Sequence, residues 1–196
     1  GRPEMSIGHP ARTDAERNRR MLLDAAAGAL ALDPDASLSE VARLAGLARA
    51  TLYRHFGSRE NLLAALRADA LACAKEAIAG ARIDEGTALE ALRRVVVGIV
   101  SFGGRFRPLL MDVVGRDPGF LRQRQDTFAP IVAIVRRGQE SGVINANISA
   151  QWIVTALTAL LAAAVRMNEG MEEQEVVETV FGTLVQGIQE FNGSQN

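Results

Sequence analysis

The chain of 196 residues contains few of the residue types from which catalytic and metal sites are usually built. It has one cysteine, Cys73, and two histidines, His9 and His55, which lie far apart in the sequence. A single cysteine excludes an internal disulfide framework and fits a reducing compartment, and no set of cysteine and histidine metal ligands can be assembled. No nucleophile elbow, P-loop or glycine-rich dinucleotide turn is present. The sequence therefore predicts a cytoplasmic protein that is not an enzyme and needs no metal or cofactor.

Targeting and membrane signals are also scarce. No secretory signal is recognisable at the start, and we expect residues 1–12 to be a disordered tail or tag remnant. The longest uncharged run, Ile148 to Val165, approaches the length of a membrane span, but polar side chains interrupt it. We interpret this run as a helix that is apolar nearly all round and buried between other helices.

Lysine is equally scarce, since Lys75 is the only one, and arginine supplies nearly all the positive charge. Residues 41–59 contain four arginines and no acidic residue, so the rest of the chain carries -5, which is -1 minus +4. These arginines are Arg43, Arg49, Arg54 and Arg59. Such a window is typical of nucleic-acid sites, but solvated helix faces of other proteins carry similar windows. The charge pattern alone therefore leaves both interpretations open.

Helical periodicity runs through almost the whole chain. Capping boxes of the form Thr/Ser-x-x-Glu predict helix starts at Thr13, Ser37 and Thr87. Pro34 ends the first helix, and Gly142 is placed to cap a long helix that begins near Pro118. Further helices are predicted at about 48–55, 59–80, 148–165 and 172–191. The sequence predicts an all-α fold of about nine helices.

Three short helices occupy the first part of the chain, with Gly46 between the second and the third. This arrangement predicts a helix-turn-helix unit over residues 13–57, followed by a larger helical domain over residues 58–192. On the third helix Leu52 and Phe56 lie four residues apart and can face the core. The remaining side chains then turn outward or lie at the flanks, namely Arg49, Ala50, Thr51, Tyr53, Arg54 and His55.

The stretch "SLSEVARLAGLARATLYRHFGSRENLLAAL", residues 37–66, resembles the DNA-binding signature of the TetR (tetracycline repressor) family of transcriptional regulators. The Ala-Gly-Leu turn, Thr-Leu-Tyr-x-His-Phe and the following Ser-Arg-Glu-x-Leu-Leu all match. The resemblance implies that the third helix enters the major groove of DNA and that side chains around it contact phosphates or bases. The residues at these positions are Ser37, Ser39, Thr51, Tyr53, His55 and Arg59.

Arg49 is our candidate for reading a base, because its guanidinium can bond guanine O6 and N7, which is worth about 1–3 kcal/mol of discrimination. Two positions depart from the family pattern: Ala48 stands where a capping serine is frequent, and Ala50 replaces a common glycine. We expect these changes to alter the operator sequence more than the affinity. Arg43 is interpreted as a solvated or phosphate-proximal residue and is left outside the site.

The resemblance also implies a homodimer that binds a palindromic DNA operator and responds to a small-molecule effector. The last two helices would form the dimer surface, since small residues there permit close helix approach beside Trp152 and Leu160. An effector pocket is expected among helices four to eight, lined by Phe102, Phe106, Met111, Phe128, Trp152 and Thr155. Because charges are scarce in these helices, we expect an apolar or amphipathic, weakly charged effector.

Alternatives stay open at this stage. Tyr53 could be a half-buried core residue and His55 a surface histidine without a partner, and aromatic residues at helical spacing are more often core than pocket lining. The chain could be a helical small-molecule-binding protein whose helix-turn-helix no longer binds DNA. Activation of transcription is a further option, although repression is commoner in the family.

Overall fold

A computed structural model describes residues 10–110, 117–167 and 170–189 of the chain. Eight α-helices and one 3₁₀ helix fill most of these ranges, which confirms the predicted all-α fold. They are α1 (Pro10–Leu32), α2 (Leu38–Leu44), α3 (Arg49–Phe56), α4 (Arg59–Gly80), α5 (Ala88–Ser101), the 3₁₀ helix (Gly103–Leu110), α6 (Pro118–Glu140), α7 (Ala150–Met167) and α8 (Glu173–Ile188). The only β-type pairing in the described ranges is a single antiparallel bridge between Ile144 and Gln189.

Two of the three predicted capping boxes begin helices. Before α5, the Thr87 hydroxyl accepts a hydrogen bond from the Glu90 amide at 3.2 Å, and the Glu90 carboxylate accepts one from the Thr87 amide at 2.7 Å. Ser37 caps α2 in the same way, with 3.1 Å between its Oγ and the Glu40 amide nitrogen. The start predicted at Thr13 is wrong, because α1 begins at Pro10, whose missing N–H and restricted φ suit a first helical turn. Residues 10–12, expected in the tail, therefore belong to α1.

The chain divides into two compact units, residues 1–66 and 67–196. This division lies within α4, nine residues after the boundary expected at Gly57. The physical reason is the burial of Leu62 and Leu66, which are almost completely inaccessible and do not belong to the core cluster of the larger unit. The first two turns of α4 thus complete the smaller unit.

In the smaller unit, α1, α2 and α3 pack against one another. Their shared core includes Leu22, Leu23, Val41, Leu52 and Phe56, all buried. Gly46 ends the turn after α2 with a φ of +66°, a conformation that other residues adopt only at a cost. The turn directs α3 across α2, which is the geometry of a helix-turn-helix.

In the larger unit, α5 packs on α6 and α8, and α7 packs on α6 and α8. The interpretation of the run from Ile148 as a helix buried on all sides is wrong. In α7, Ile153, Leu157 and Leu161 are buried, but Trp152 and Ala159 are exposed on the other face. Within the described ranges, no helix combines the length and apolarity that crossing a bilayer requires.

Gly138 allows the chain after α6 to fold back onto that helix. The amide nitrogens of Val143 and Ile144 both donate to the Gly138 carbonyl at 3.0 Å. A Cβ atom at position 138 would lie 2.5 Å from Cδ1 of the fully buried Ile144 and 3.1 Å from Cβ of Ala88. Glycine is therefore required here by close packing.

We predict that Gly138→Ala lowers the free energy of unfolding by about 1–3 kcal/mol, because overlap with Ile144 outweighs the gain in helix propensity. Denaturant unfolding followed by circular dichroism measures the change. The matched control is Gly28→Ala in α1, where nothing lies within 4 Å of an added Cβ. The control should be neutral or stabilising by up to about 1 kcal/mol, and an equal response of both variants would contradict the packing argument.

Candidate nucleic-acid interface and effector cleft

Helix α3 divides its side chains between core and solvent as its periodicity predicts. Leu52 and Phe56 are buried, while Arg49, Ala50 and Arg54 are exposed and Tyr53 is 39% exposed. Tyr53 is therefore not a core residue. The exposed face of α3 consists of two guanidinium groups and a phenol on an eight-residue helix, a size that a major groove about 12 Å wide admits.

Arg49 and Tyr53 hold each other in place on this face. The Arg49 Nη2 donates a hydrogen bond to the Tyr53 Oη at 3.1 Å, and its guanidinium carbon lies 5.3 Å from the centre of the tyrosine ring. Stacking on the ring uses the flat side of the guanidinium and leaves donors at its edge. The candidate base reader is thus partly ordered before any ligand is bound.

The arginines of α1 and α2 differ from those of α3 in their neutralisation. Four of the five arginines in α1 and α2 pair with acids three or four residues away, in the pairs Arg12–Glu16, Arg17–Asp14, Arg20–Asp24 and Arg43–Glu40. The fifth, Arg19, lies over the Phe56 ring. Among the described residues, Arg49 and Arg54 of α3 form no ion pair. No acid among the described residues neutralises the two arginines of α3, whereas Arg43 is exposed and paired with Glu40.

Arg59, at the start of α4, has a structural role that sequence analysis missed. Its Nη1 and Nη2 donate to the carbonyl oxygens of Ala36 and Pro34 at 2.5 and 2.8 Å. These bonds fix the turn that leads into Ser37 and α2. Because carbonyl groups carry no net charge, the guanidinium stays cationic at the position where the family resemblance places a phosphate contact.

The other predicted contacts are distributed around the two short helices. Ser37 is exposed and engaged in capping, Ser39 is exposed, and Thr51 is half-buried. Ala48 precedes α3 as its N-cap and provides no side-chain hydrogen bond. The start of α3 therefore depends on tertiary packing rather than on a cap.

His55 is half-buried beside Phe56, and its Nε2 is inaccessible with no hydrogen-bond partner in the described residues. Burial, followed by repulsion from Arg54 and Arg19, holds the pKa of His55 below its ordinary value of 6.5. The imidazole is therefore neutral at pH 7 and adds no positive charge to the interface. It could reach a phosphate only as an N–H donor.

A cleft of about 420 Å³ lies between α6 and α7, within the usual size range of small-molecule sites. Of the six predicted lining residues, the structure brings Phe128 and Thr155 together here. Phe106 lines a separate cavity of about 80 Å³ beside the 3₁₀ helix. Phe102 packs against the core, and Trp152 is 66% exposed. Met111 lies outside the described residues.

Most of the polar side chains that line the α6–α7 cleft were not predicted from the sequence. Besides apolar side chains, the cleft is lined by Arg124, Gln125, Arg136, Gln151 and Thr158. Arg124, Phe128 and Arg136 are spaced by four and eight residues and thus share one face of α6. That spacing was the available signal, and it shows that charge is not scarce at this site.

We predict that Arg59→Gln lowers the free energy of unfolding by about 1–3 kcal/mol, since two charge-assisted hydrogen bonds to the turn are lost. Thermal and denaturant unfolding measure this loss. Arg54→Gln removes the same charge from an exposed side chain and should change stability by less than about 0.5 kcal/mol. Equal stability of the two variants would rule out the structural role of Arg59.

Comparison with known proteins identifies the smaller unit. The model of the family described as "Bacterial regulatory proteins, tetR family" matches residues 22–66. The matched segment ends at Leu66, where the smaller unit also ends. It contains α2, α3 and the interface built on them.

Similarity to individual regulators extends over most of the chain. The HTH-type transcriptional repressor LfrR of Mycolicibacterium smegmatis is 29% identical over 179 residues, which cover 88% of this chain and 91% of LfrR. The HTH-type transcriptional regulator NfxB of Pseudomonas aeruginosa is 29% identical over 136 residues, covering 66% and 71%.

The fold is shared as well. A crystal structure of the TetR-like regulator LfrR from Mycobacterium smegmatis in complex with proflavine superimposes with a TM-score of 0.65 at 27% identity, covering 89% of this chain and 99% of that one. These similar proteins are transcriptional regulators rather than enzymes. The match places the helix-turn-helix of residues 22–66 in the tetR family of bacterial regulatory proteins, and most of the chain is similar in sequence and fold to regulators that carry this unit.

Proposed function

We propose that this regulator is a repressor that binds a palindromic operator as a homodimer and is released by a small amphipathic effector. The observation that carries the proposal is the exposed face of α3, where Arg49 and Arg54 have no acidic partner in the described residues and flank Tyr53. Cations left unneutralised on a groove-sized helix favour a polyanionic partner.

The residues of this face divide into two roles. Arg49 has the fork geometry for guanine O6 and N7, and its contact with Tyr53 limits its freedom before binding. Phosphate contacts are suited to Arg54, Tyr53 and Arg59. Such contacts would fix the position of α3 on the DNA but would not discriminate between base sequences. In this proposal one arginine provides most of the base discrimination by α3.

The exposed faces of α7 and α8 support a dimer. The side chain of Trp152 is 66% exposed. Tryptophan is among the side chains most enriched at the centres of protein interfaces, so its exposure here favours a partner on this face. Ala159 is exposed and Ala156 and Gly182 are half-exposed, so a second helix could approach closely. Because Trp152 and Ala159 are exposed rather than part of the core of their own subunit, pairing with a second copy is the favoured explanation.

Dimerisation would place two α3 helices on half-sites about 34–36 Å apart, or at a multiple of that distance. An effector would act by binding more tightly to a conformer in which the two helices no longer match this spacing, and its effect is limited by that difference in affinity. The structure of LfrR in complex with proflavine supports a small-molecule response in a similar protein. The α6–α7 cleft is our candidate for the effector site.

The proposal predicts salt-dependent, sequence-specific binding to the intergenic DNA upstream of the gene. Gel-shift titrations across a salt series, with unrelated DNA as competitor, would measure specific and non-specific affinity separately. Tyr53→Ala should abolish specific binding. Arg49→Gln should lower the ratio of specific to non-specific affinity by about tenfold, the effect of losing one bidentate base contact.

Arg43→Gln is the matched control, because it removes the same charge from an arginine already paired with Glu40. It should leave the ratio of specific to non-specific affinity unchanged. The proposed function fails if the wild-type protein shows no sequence preference at any salt concentration. If Arg49→Gln and Arg43→Gln change this ratio equally, only the assignment of Arg49 as the base-reading residue fails.

The proposed dimer interface leads to a separate prediction. Trp152→Arg should convert the dimer to monomer in sedimentation experiments at micromolar concentration, because a charge would be buried without a partner in the interface. Val97→Arg, at another partly exposed apolar side chain on α5, should leave the dimer intact. A Trp152→Arg protein that remains dimeric would exclude this face as the interface.

A further inference from the structure

The α6–α7 cleft has an unbalanced charge. Among the described residues that line it, Arg124 and Arg136 are the only ionisable ones, and none of the others is a carboxylate. Described residues 150–164 of α7 contain no charged residue at all. The cleft is therefore a cationic site within a chain whose net charge is -1.

Arg124 is half-buried in this cleft, where its guanidinium contacts an aromatic ring. Its guanidinium carbon lies 5.4 Å from the centre of the Phe128 ring, and its Nε is inaccessible and has no hydrogen-bond partner in the described residues. Burial lowers the pKa of the Arg124 guanidinium from its ordinary value. Half-burying a cation without a counter-charge is unfavourable, and an anion bound beside it would offset that cost.

The other residues that line the cleft indicate the length and polarity of a molecule that would fit it. Arg124 and Arg136 are separated by twelve residues of helix, or roughly 18 Å along its axis. Between them lies an apolar floor that includes Phe128, Val132 and Val154, all buried. The exposed rim carries Gln151 and Thr155, so that the cleft is open to solvent on this side.

We propose that the effector is an amphipathic carboxylate whose carboxylate group binds the guanidinium of Arg124 and whose apolar body lies along Phe128, Val132 and Val154. This inference rests on the proposed function, which it deepens by naming the chemical class of the effector. A guanidinium recognises a carboxylate by parallel, charge-assisted hydrogen bonds, whereas a cationic molecule would meet two like charges. The weakly charged effector expected from the sequence is replaced by an organic anion.

Pairs of probes that differ only in charge test the proposal. Octanoate, decanoate and 2-naphthoate are titrated into the full-length protein by calorimetry, each beside its own primary amide. At least one carboxylate should bind about tenfold or more tightly than its amide, which corresponds to one charge-assisted interaction. If every pair shows a preference below about tenfold, the proposal is overturned.

Variants of α6 assign the preference to one side chain. Arg124→Gln should abolish the preference for the carboxylate, whereas Arg122→Gln, an exposed arginine that does not line the cleft, should retain it. Arg124→Lys keeps the charge but loses the fork, so it should weaken binding while preserving the preference. It also provides a second test if Arg124→Gln does not fold. A preference that survives in folded Arg124→Gln would overturn the assignment.

Operator binding by the same preparations, without any probe, separates this inference from the proposed function. Specific DNA binding together with no carboxylate preference would reject only the effector class. Loss of sequence-specific DNA binding in the wild-type protein would instead reject the proposed function itself.

Discussion

Burial of Leu52 and Phe56 is the interaction on which the rest of the candidate nucleic-acid interface depends. Helix α3 has only eight residues and no side-chain N-cap, so it would not be stable in isolation. Its packing on α1 and α2 holds it in place, and Arg19 of α1 covers the Phe56 ring at 5.4 Å. Arg54 lies on the face opposite the two buried side chains, and Arg49 and Tyr53 are also exposed to solvent.

Local neutralisation decides where the charge of the chain acts. Four of the five arginines on α1 and α2 are balanced within one helical turn by acids of the same helix, and exposed pairs of this kind contribute little to stability. The two arginines of α3 have no such neighbours in the described residues. In the larger unit, Arg105 pairs with Asp69, while no described residue that lines the cleft with Arg124 is acidic. Both candidate binding surfaces thus carry cations that no described neighbour neutralises.

Predictions from sequence were most accurate where local rules govern the outcome. The capping residues Ser37 and Thr87 and the bounds of α4 follow from short-range hydrogen bonding and periodicity. Thr13 was misinterpreted because the same Thr-x-x-Glu pattern can also lie inside a helix. The role of Arg59 could not be inferred, since its partners Pro34 and Ala36 are more than twenty residues away. The polar wall of the α6–α7 cleft was missed for the same reason: two helices must be packed together before their side chains share a space.

The sequence by itself determined the all-α class, the helix-turn-helix and the side chains that α3 exposes. Helical periodicity and a thirty-residue motif are properties of neighbouring residues and need no knowledge of distant contacts. Only the tertiary structure decided that one face of α7 stays exposed and that Arg124 and Arg136 line a cleft whose described lining holds no carboxylate. Burial and charge balance depend on which helices become neighbours, and that arrangement is set by packing of the whole core rather than by any local pattern.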